Sequence, residues 1–126
     1  MKRNPVTAFA ESRIQCAIVK FLSHALPKTC LFYSVPNGGY GLPKATAARL
    51  KREGLRPGVA DLVILRQGGW TAYVEVKTDD GEQSDAQIEF ADWCGENGVE
   101  YAVVRSIDDV EAALRAWNVP LRGSVQ

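Results

Sequence analysis

The sequence predicts an α/β fold in which helices flank a mixed β-sheet. Apolar residues recur with helical spacing in some segments and form short β-branched or aromatic runs in others. The resulting order is helix, strand, helix, hairpin, helix, strand, helix. A hairpin joins antiparallel strands, so the sheet is not expected to be entirely parallel.

The first half of the chain is expected to contain two helices and one strand. Residues 7–25 carry apolar side chains at helical spacing. Residues 31–35 are apolar and run into a turn-forming Pro-Asn-Gly-Gly sequence, which favours a strand. Residues 44–53 follow Pro43 and precede Gly54, an arrangement typical of a short helix.

The centre of the chain predicts a β-hairpin. Residues 60–65 and 71–76 are short runs rich in β-branched and aromatic residues. They are separated by Gln67-Gly68-Gly69, a loop of hairpin length. If Arg66 faces Trp70 across this loop, the register of the whole hairpin is fixed.

Three charged residues converge on one face of this hairpin. In the expected register Asp61 lies opposite Glu75, with side chains about 5 Å apart, and Lys77 shares their face because side chains alternate along a strand. Two facing carboxylates repel each other unless a cation lies between them, and Mg²⁺ is bound by one or two carboxylates with water and phosphate oxygens. The hairpin therefore predicts a metal-dependent nuclease site. The alternative is a salt bridge of Lys77 with Glu75 or Asp61 that has no chemical role.

The second half predicts a helix, a strand and a last helix. Ser84 and Gln87 have the spacing of a capping box, and the helix they open is expected to end at Asn97, with a broad apolar face against the sheet. Residues 101–104 read as a strand. Residues 106–116 begin with a Ser cap and form the last predicted helix.

Positive charge is concentrated in the first half of the chain. Residues 1–74 hold eleven Lys and Arg against three acidic residues, whereas residues 75–126 hold four against twelve. A basic cluster at the second helix could follow a DNA backbone through counterion release, although such residues also keep an exposed helix soluble. The candidate DNA-binding residues are Asn37, Lys44, Arg49, Lys51, Arg52 and Arg56.

Length and composition are those of one domain, residues 1–126, with a core of about residues 7–116 and a short C-terminal tail. No apolar stretch approaches the roughly 20 residues of a membrane span, and the basic N-terminus is not followed by a signal-peptide core. A cytoplasmic protein with no membrane association is expected. The three cysteines are expected to be buried free thiols rather than zinc ligands: Cys16, Cys30 and Cys94.

With these residues placed, the chain resembles the virus-type replication-repair nuclease (VRR-NUC) domains of the PD-(D/E)XK superfamily over nearly its full length. The motifs that carry the resemblance are Glu11 and Gln15, residues 36–39, Gly54, residues 58–62, residues 75–77, Gln87, Gly98 and residues 101–104. The resemblance implies a restriction-endonuclease-like fold and a metal-dependent phosphodiesterase acting on DNA. Ala60 stands where the nominal motif has proline, a residue that shapes the strand entry and donates nothing to the metal.

The resemblance also implies roles for individual residues. Asp61, Glu75 and the backbone carbonyl of Val76 would hold Mg²⁺ or Mn²⁺. Lys77, expected at an exposed strand end, would orient or activate the attacking water. Glu11 would bind a second ion directly or through water, and Gln87 would help position the nucleophile or Lys77.

Small stand-alone members of the family resemble homodimeric resolvases of four-way (Holliday) junctions, whereas larger relatives are flap-cutting repair enzymes. The length of the chain favours the first kind, with branched DNA as the partner. A flap nuclease, a restriction-like enzyme and a non-catalytic DNA-binding module are the alternatives. The binding module is disfavoured because carboxylates that face phosphate repel it when no metal is present.

Overall fold

The computed structural model describes residues 5–36 and 42–123. The elements within them are α1 (Pro5–Ala25), β1 (Cys30–Ser34), α2 (Lys44–Arg52), β2 (Leu62–Arg66), β3 (Trp70–Val76), α3 (Asp85–Glu96), β4 (Glu100–Val104) and α4 (Ile107–Ala116). Each of the predicted elements is present, and the predicted ends lie within two residues of the observed ones.

The four strands form one mixed sheet in the order β1-β2-β3-β4. The β1–β2 and β2–β3 pairs are antiparallel, and the β3–β4 pair is parallel. The predicted mixed sheet with flanking helices is therefore confirmed. The hairpin register is confirmed as well, since Arg66 pairs with Trp70 and Leu62 pairs with Val74. Continuing this register by one residue brings Asp61 opposite Glu75.

The hydrophobic core lies on the sheet face to which the even-numbered residues of β2, β3 and β4 point. Helices α1 and α4 cover this face with an apolar stripe each. The fully buried side chains of this core include Ile18, Leu22, Leu62, Ile64, Val74, Val76, Val104, Val110 and Leu114. The packed region continues beyond α4, because Val119 is buried and Leu121 packs against the same cluster.

Helix α3 covers the opposite face, over β3 and β4. The ring of Phe90 meets Tyr73 edge-on with centroids 4.9 Å apart and lies 6.0 Å from Tyr101. The expected apolar face of α3 is narrower than predicted, because Ile88 and Trp93 remain 44% and 53% exposed. The helix is held through a few aromatic contacts rather than a broad stripe.

The segment that leads into Asp61 packs tightly against the first turn of α3. Gly58 has a φ of +85°, and a Cβ built there would lie 2.4 Å from the carbonyl carbon and oxygen of Ala86. Gly54 has a φ of +107°, but no heavy atom lies within 4 Å of its Cβ position. Backbone conformation demands glycine at both positions, and close packing demands it only at Gly58.

Gly58→Ala is expected to lower the free energy of unfolding by about 2–5 kcal/mol. Alanine is strained at a positive φ, and its Cβ would also clash with Ala86. The matched control Gly54→Ala has only the backbone penalty, about 1–2 kcal/mol. Urea unfolding of both variants, followed by tryptophan fluorescence, measures the difference. Equal losses would show that the contact with Ala86 contributes nothing.

No helix in residues 5–36 or 42–123 is long and apolar enough to cross a membrane. The three free thiols differ in their surroundings, since Cys94 is buried, Cys30 is partly exposed and Cys16 is exposed. The expectation of a buried thiol is thus wrong for Cys16. Its position on α1 turns away from the stripe that carries Ile18 and Leu22.

Candidate active site

Asp61 is fixed between two strands immediately before β2. Its backbone carbonyl accepts a hydrogen bond from Val35 N–H (2.9 Å), and its Oδ2 accepts one from Val76 N–H (2.8 Å). The backbone of β3 therefore orients the carboxylate. Since Val76 directly follows Glu75, the same contact places the two acidic residues side by side.

Glu75 is buried in β3, with only 1% of its surface exposed. Its Oε2 accepts a hydrogen bond from Gln87 Nε2 (2.9 Å). Its Oε1 is buried and has no hydrogen-bond partner within the described part of the chain. A buried acceptor left without a donor typically costs about 1–3 kcal/mol, and folded proteins rarely keep one without a functional reason.

The charge state of Glu75 depends on its acidic neighbours. Burial, together with the Asp61 carboxylate, raises the pKa of Glu75 from 4.5 to about 9. Lys77 acts in the opposite direction, and Glu11 adds a smaller rise. The rise shows that a second negative charge beside Asp61 is unfavourable here, and a bound cation would relieve that repulsion.

Glu11 and Lys77 are both buried, at 4% exposure each. Glu11 lies on the same stripe of α1 as Ile18, seven residues later, and it is near enough to Glu75 to raise the pKa of that group. The expected exposure of Lys77 at a strand end is wrong. No ion pair within 4.0 Å between described residues joins Lys77 to Asp61 or Glu75, so the predicted alternative of a salt bridge is not formed.

Gln87 has two structural tasks at the start of α3. Its side-chain oxygen accepts a hydrogen bond from Ser84 N–H (2.8 Å), and Ser84 Oγ accepts one from Gln87 N–H (3.2 Å), which completes the predicted capping box. Its Nε2 is left to hold Glu75. The capping hydrogen bond therefore fixes the orientation of the Gln87 amide group. The amide nitrogen donates to Glu75 rather than to Lys77.

Two polar residues near the site were not recognised as site residues from the sequence. Gln83 Nε2 donates a hydrogen bond to Tyr101 Oη (2.9 Å). Burial, followed by the nearby Glu75, raises the pKa of Tyr101 well above its ordinary value, so the phenol stays neutral. The β3–β4 pairing brings Tyr101 beside Tyr73, two residue pairs from the pair that contains Glu75. Nothing local in the sequence gives that parallel register.

The basic helix α2 is an exposed surface element. No residue of Lys44–Arg52 is buried, and Arg49 forms an ion pair with Glu53 (3.1 Å) one turn later. The predicted DNA-binding residues that the structure describes are all exposed: Lys44, Arg49, Lys51, Arg52 and Arg56. Asn37 lies outside the described residues.

The acidic groups fit a hard divalent cation only with help from other ligands. Within residues 5–36 and 42–123, no group of three or more His, Cys, Asp or Glu side chains is arranged to hold a metal. Two carboxylates with water and phosphate oxygens match the ligand preference of Mg²⁺. Glu75 Oε1, which no described residue hydrogen-bonds, lies beside Asp61 and is consistent with such a site.

A family model described as the VRR-NUC domain matches residues 10–108, well over half of the chain. The chain belongs to this family. VRR-NUC domains are nuclease domains, so the acidic site lies in a protein whose expected partner is nucleic acid. The matched span includes each of the acidic residues discussed above together with Lys77 and Gln87.

Two solved structures share the fold. One, titled "VRR_NUC domain protein", superposes with a TM-score of 0.68 at 20% identity and covers 93% of this chain and 90% of its own. The other, titled "VRR_NUC domain", has a TM-score of 0.58 at 20% identity and covers 86% and 97%. A search among curated proteins gave no match.

Proposed function

We propose that this VRR-NUC protein is an endonuclease that requires Mg²⁺ or Mn²⁺ and hydrolyses phosphodiester bonds in branched DNA. The observation that carries the proposal is the buried Glu75 Oε1, which has no hydrogen-bond partner among residues 5–36 and 42–123 and lies beside Asp61. A protein that only bound DNA would gain nothing from such a pair, because carboxylates repel phosphate. Metal-dependent hydrolysis gives the pair a use.

Asp61, Glu75 and the backbone carbonyl of Val76 would hold the cation, with water and phosphate oxygens as the remaining ligands. When bound, the metal would polarise the scissile phosphate and lower the pKa of the attacking water. Glu11 would reach a second ion directly or through water. Its electrostatic effect on Glu75 supports a position at the edge of the site.

Two residues of the chain would act on charge and orientation. Lys77 would orient the attacking water and add positive charge where negative charge develops on the phosphoryl group. Its burial supports this role, because a charge interacts more strongly in a low-dielectric environment than in water. Gln87 would keep the Glu75 carboxylate in one rotamer through Nε2.

For the substrate we propose a four-way junction that is cut by a homodimer in the cytoplasm. The described part of the chain contains one site of this kind, and paired cuts in a twofold-symmetric junction need two sites related by a twofold axis. The exposed basic residues of α2, with Arg56 and Asn37, would contact the phosphate backbone. The free, exposed thiol of Cys16 is compatible with a reducing compartment.

The test is cleavage of a matched set of labelled substrates by purified protein in Mg²⁺ or Mn²⁺. The set holds a four-way junction, 5′ and 3′ flaps, a splayed arm and a linear duplex of the same sequence. Paired symmetric nicks in the junction are expected, together with a dimer mass in light scattering. One-sided cutting of flaps by a monomer would replace the resolvase with a flap nuclease.

A Glu75→Gln variant purified in parallel controls for contaminating nucleases. Cleavage that persists at the same level in this variant does not come from the proposed site. No Glu75-dependent cleavage of any substrate in either metal would overturn the enzymatic proposal in favour of a non-catalytic DNA-binding module.

A further inference from the structure

The loop that follows Lys77 is anchored by one arginine from the neighbouring strand. Arg105 comes directly after β4, and its Nη1 donates hydrogen bonds to the carbonyl oxygens of Thr78, Asp79 (3.3 Å) and Gly81 (2.8 Å). Three carbonyls of one short loop thus converge on a single nitrogen. The loop itself closes with Gly81 N–H donating to Thr78 O (3.0 Å).

The backbone of Arg105 is itself fixed, so its side chain has a firm base. Its N–H donates to Asp109 Oδ2 (2.8 Å) in the first turn of α4. One residue earlier, the carbonyl of Val104 accepts a hydrogen bond from Lys77 N–H (3.0 Å). The sheet therefore brings the backbones of Lys77 and Arg105 next to each other, and the guanidinium group reaches across to the loop.

The clamped loop packs on the Lys77 side chain. A Cβ built on Gly81 would lie 3.4 Å from Lys77 Cδ and 3.0 Å from Thr78 Oγ1, so the loop leaves little free space there. Burying a lysine side chain costs rotamer entropy, and no ion pair with another described residue holds Lys77 in place. The covering loop confines the side chain near Glu75.

The charge of the loop gives a second reason for the clamp. Asp79, Asp80 and Glu82 place three acidic residues directly after Lys77. If the loop were free, their carboxylates could draw the Lys77 ammonium away from the site. Arg105 adds a positive charge at the loop and fixes its backbone.

We infer that Arg105 is a positioning residue, which holds Lys77 in its catalytic orientation by clamping residues 78–81 over it. The inference rests on the proposed function, since the orientation of Lys77 has a catalytic consequence only if the protein cleaves DNA. All three contacts come from one nitrogen, so a lysine at position 105 would keep the charge and could serve part of this set of carbonyls.

The test compares Arg105→Ala and Arg105→Lys with wild type in single-turnover and steady-state cleavage. Arg105→Ala is expected to lower kcat by about 10-fold to 10²-fold, because a small misplacement of a catalytic group has an effect of this size. The kcat of Arg105→Lys is expected to lie between those of Arg105→Ala and wild type. KM and the Mg²⁺ dissociation constant should change by less than about twofold, since Asp61 and Glu75 are not touched.

A matched control and a second variant separate positioning from stability. Arg66 also donates from Nη1 to a backbone carbonyl, that of Asn118 (3.3 Å), at the far end of the hairpin. Arg66→Ala is expected to leave kcat unchanged. Gly81→Ala pushes on Thr78 and Lys77 from the loop side and should also lower kcat while KM stays constant.

A readout without catalysis uses hydrogen exchange of the metal-free protein. The amide of Gly81 is expected to exchange faster in Arg105→Ala than in wild type, because the loop loses its anchor.

Unchanged kcat in both Arg105 variants would overturn the inference, and so would a raised KM with unchanged kcat, which indicates a direct phosphate contact. If Arg105→Ala does not fold, Arg105→Lys and Gly81→Ala decide. Absence of cleavage by wild type would instead remove the proposed function, and this inference with it.

Discussion

Replacing Lys77 by methionine is expected to lower the rate of metal-dependent DNA cleavage by at least about 10²-fold, as for other groups that stabilise transition-state charge. Methionine keeps an unbranched apolar stem in a position that is only 4% exposed, and it removes the ammonium group. Alanine would be a poorer probe, because truncating a buried side chain leaves a cavity and lowers stability as well.

The measurement for Lys77→Met is single-turnover cleavage at saturating Mg²⁺, with thermal unfolding and Mg²⁺ titration of the same samples. The melting temperature should stay near that of wild type. The Mg²⁺ dissociation constant should stay the same or decrease, because a neighbouring positive charge opposes cation binding. Cleavage close to the wild-type rate would show that Lys77 is not a catalytic group.

The parts of the site that depend on local geometry could be predicted from the sequence. A hairpin loop fixes the register of both strands, so the position of Asp61 opposite Glu75 follows from the loop length and strand alternation. The capping box follows in the same way from the spacing of Ser84 and Gln87. Both predictions use distances of only a few residues along the chain.

The burial of Lys77 could not be predicted in this way. It depends on a loop that folds back over the side chain and on Arg105, which lies 28 residues further along the chain. The contact of Gln87 with Glu75 depends similarly on how α3 docks over β3. Tyr101 approaches the site only because β4 pairs parallel with β3 in one particular register.

Glu11 is an intermediate case. Its spacing of seven residues from Ile18 already places it on the core-facing stripe of α1, and a charged residue in that position is a signal of a buried site. Gln15, four residues on, lies in a neighbouring direction on the helix and is only partly buried. The burial of Glu11 is predicted better by its place on the apolar stripe of α1 than by its spacing from another polar residue.

Glu75→Gln is expected to remove cleavage and to weaken Mg²⁺ binding by at least about 10²-fold, because the carboxylate proposed as a metal ligand becomes a neutral amide of the same shape. The amide oxygen can still accept the hydrogen bond from Gln87 Nε2, so the contact that fixes this side chain is kept. The fold should therefore survive the substitution. Mg²⁺ titration and cleavage assays measure the two losses, and near-normal metal affinity would exclude Glu75 as a ligand.

The same substitution is expected to change how the stability of the metal-free protein depends on pH. In wild type the folded state holds a proton on Glu75 up to about pH 9, whereas the unfolded state releases it near pH 4.5. Between these values the folded state binds more protons, so the free energy of unfolding must fall as pH rises.

Glu75→Gln has no such proton to lose, and its melting temperature should exceed that of wild type by a margin that grows toward pH 9. Saturating Mg²⁺ should restore the stability of wild type at high pH but not change the variant. If the two melting temperatures changed in parallel with pH in the absence of metal, Glu75 would be ionised in the folded state. Folding would then not raise its pKa.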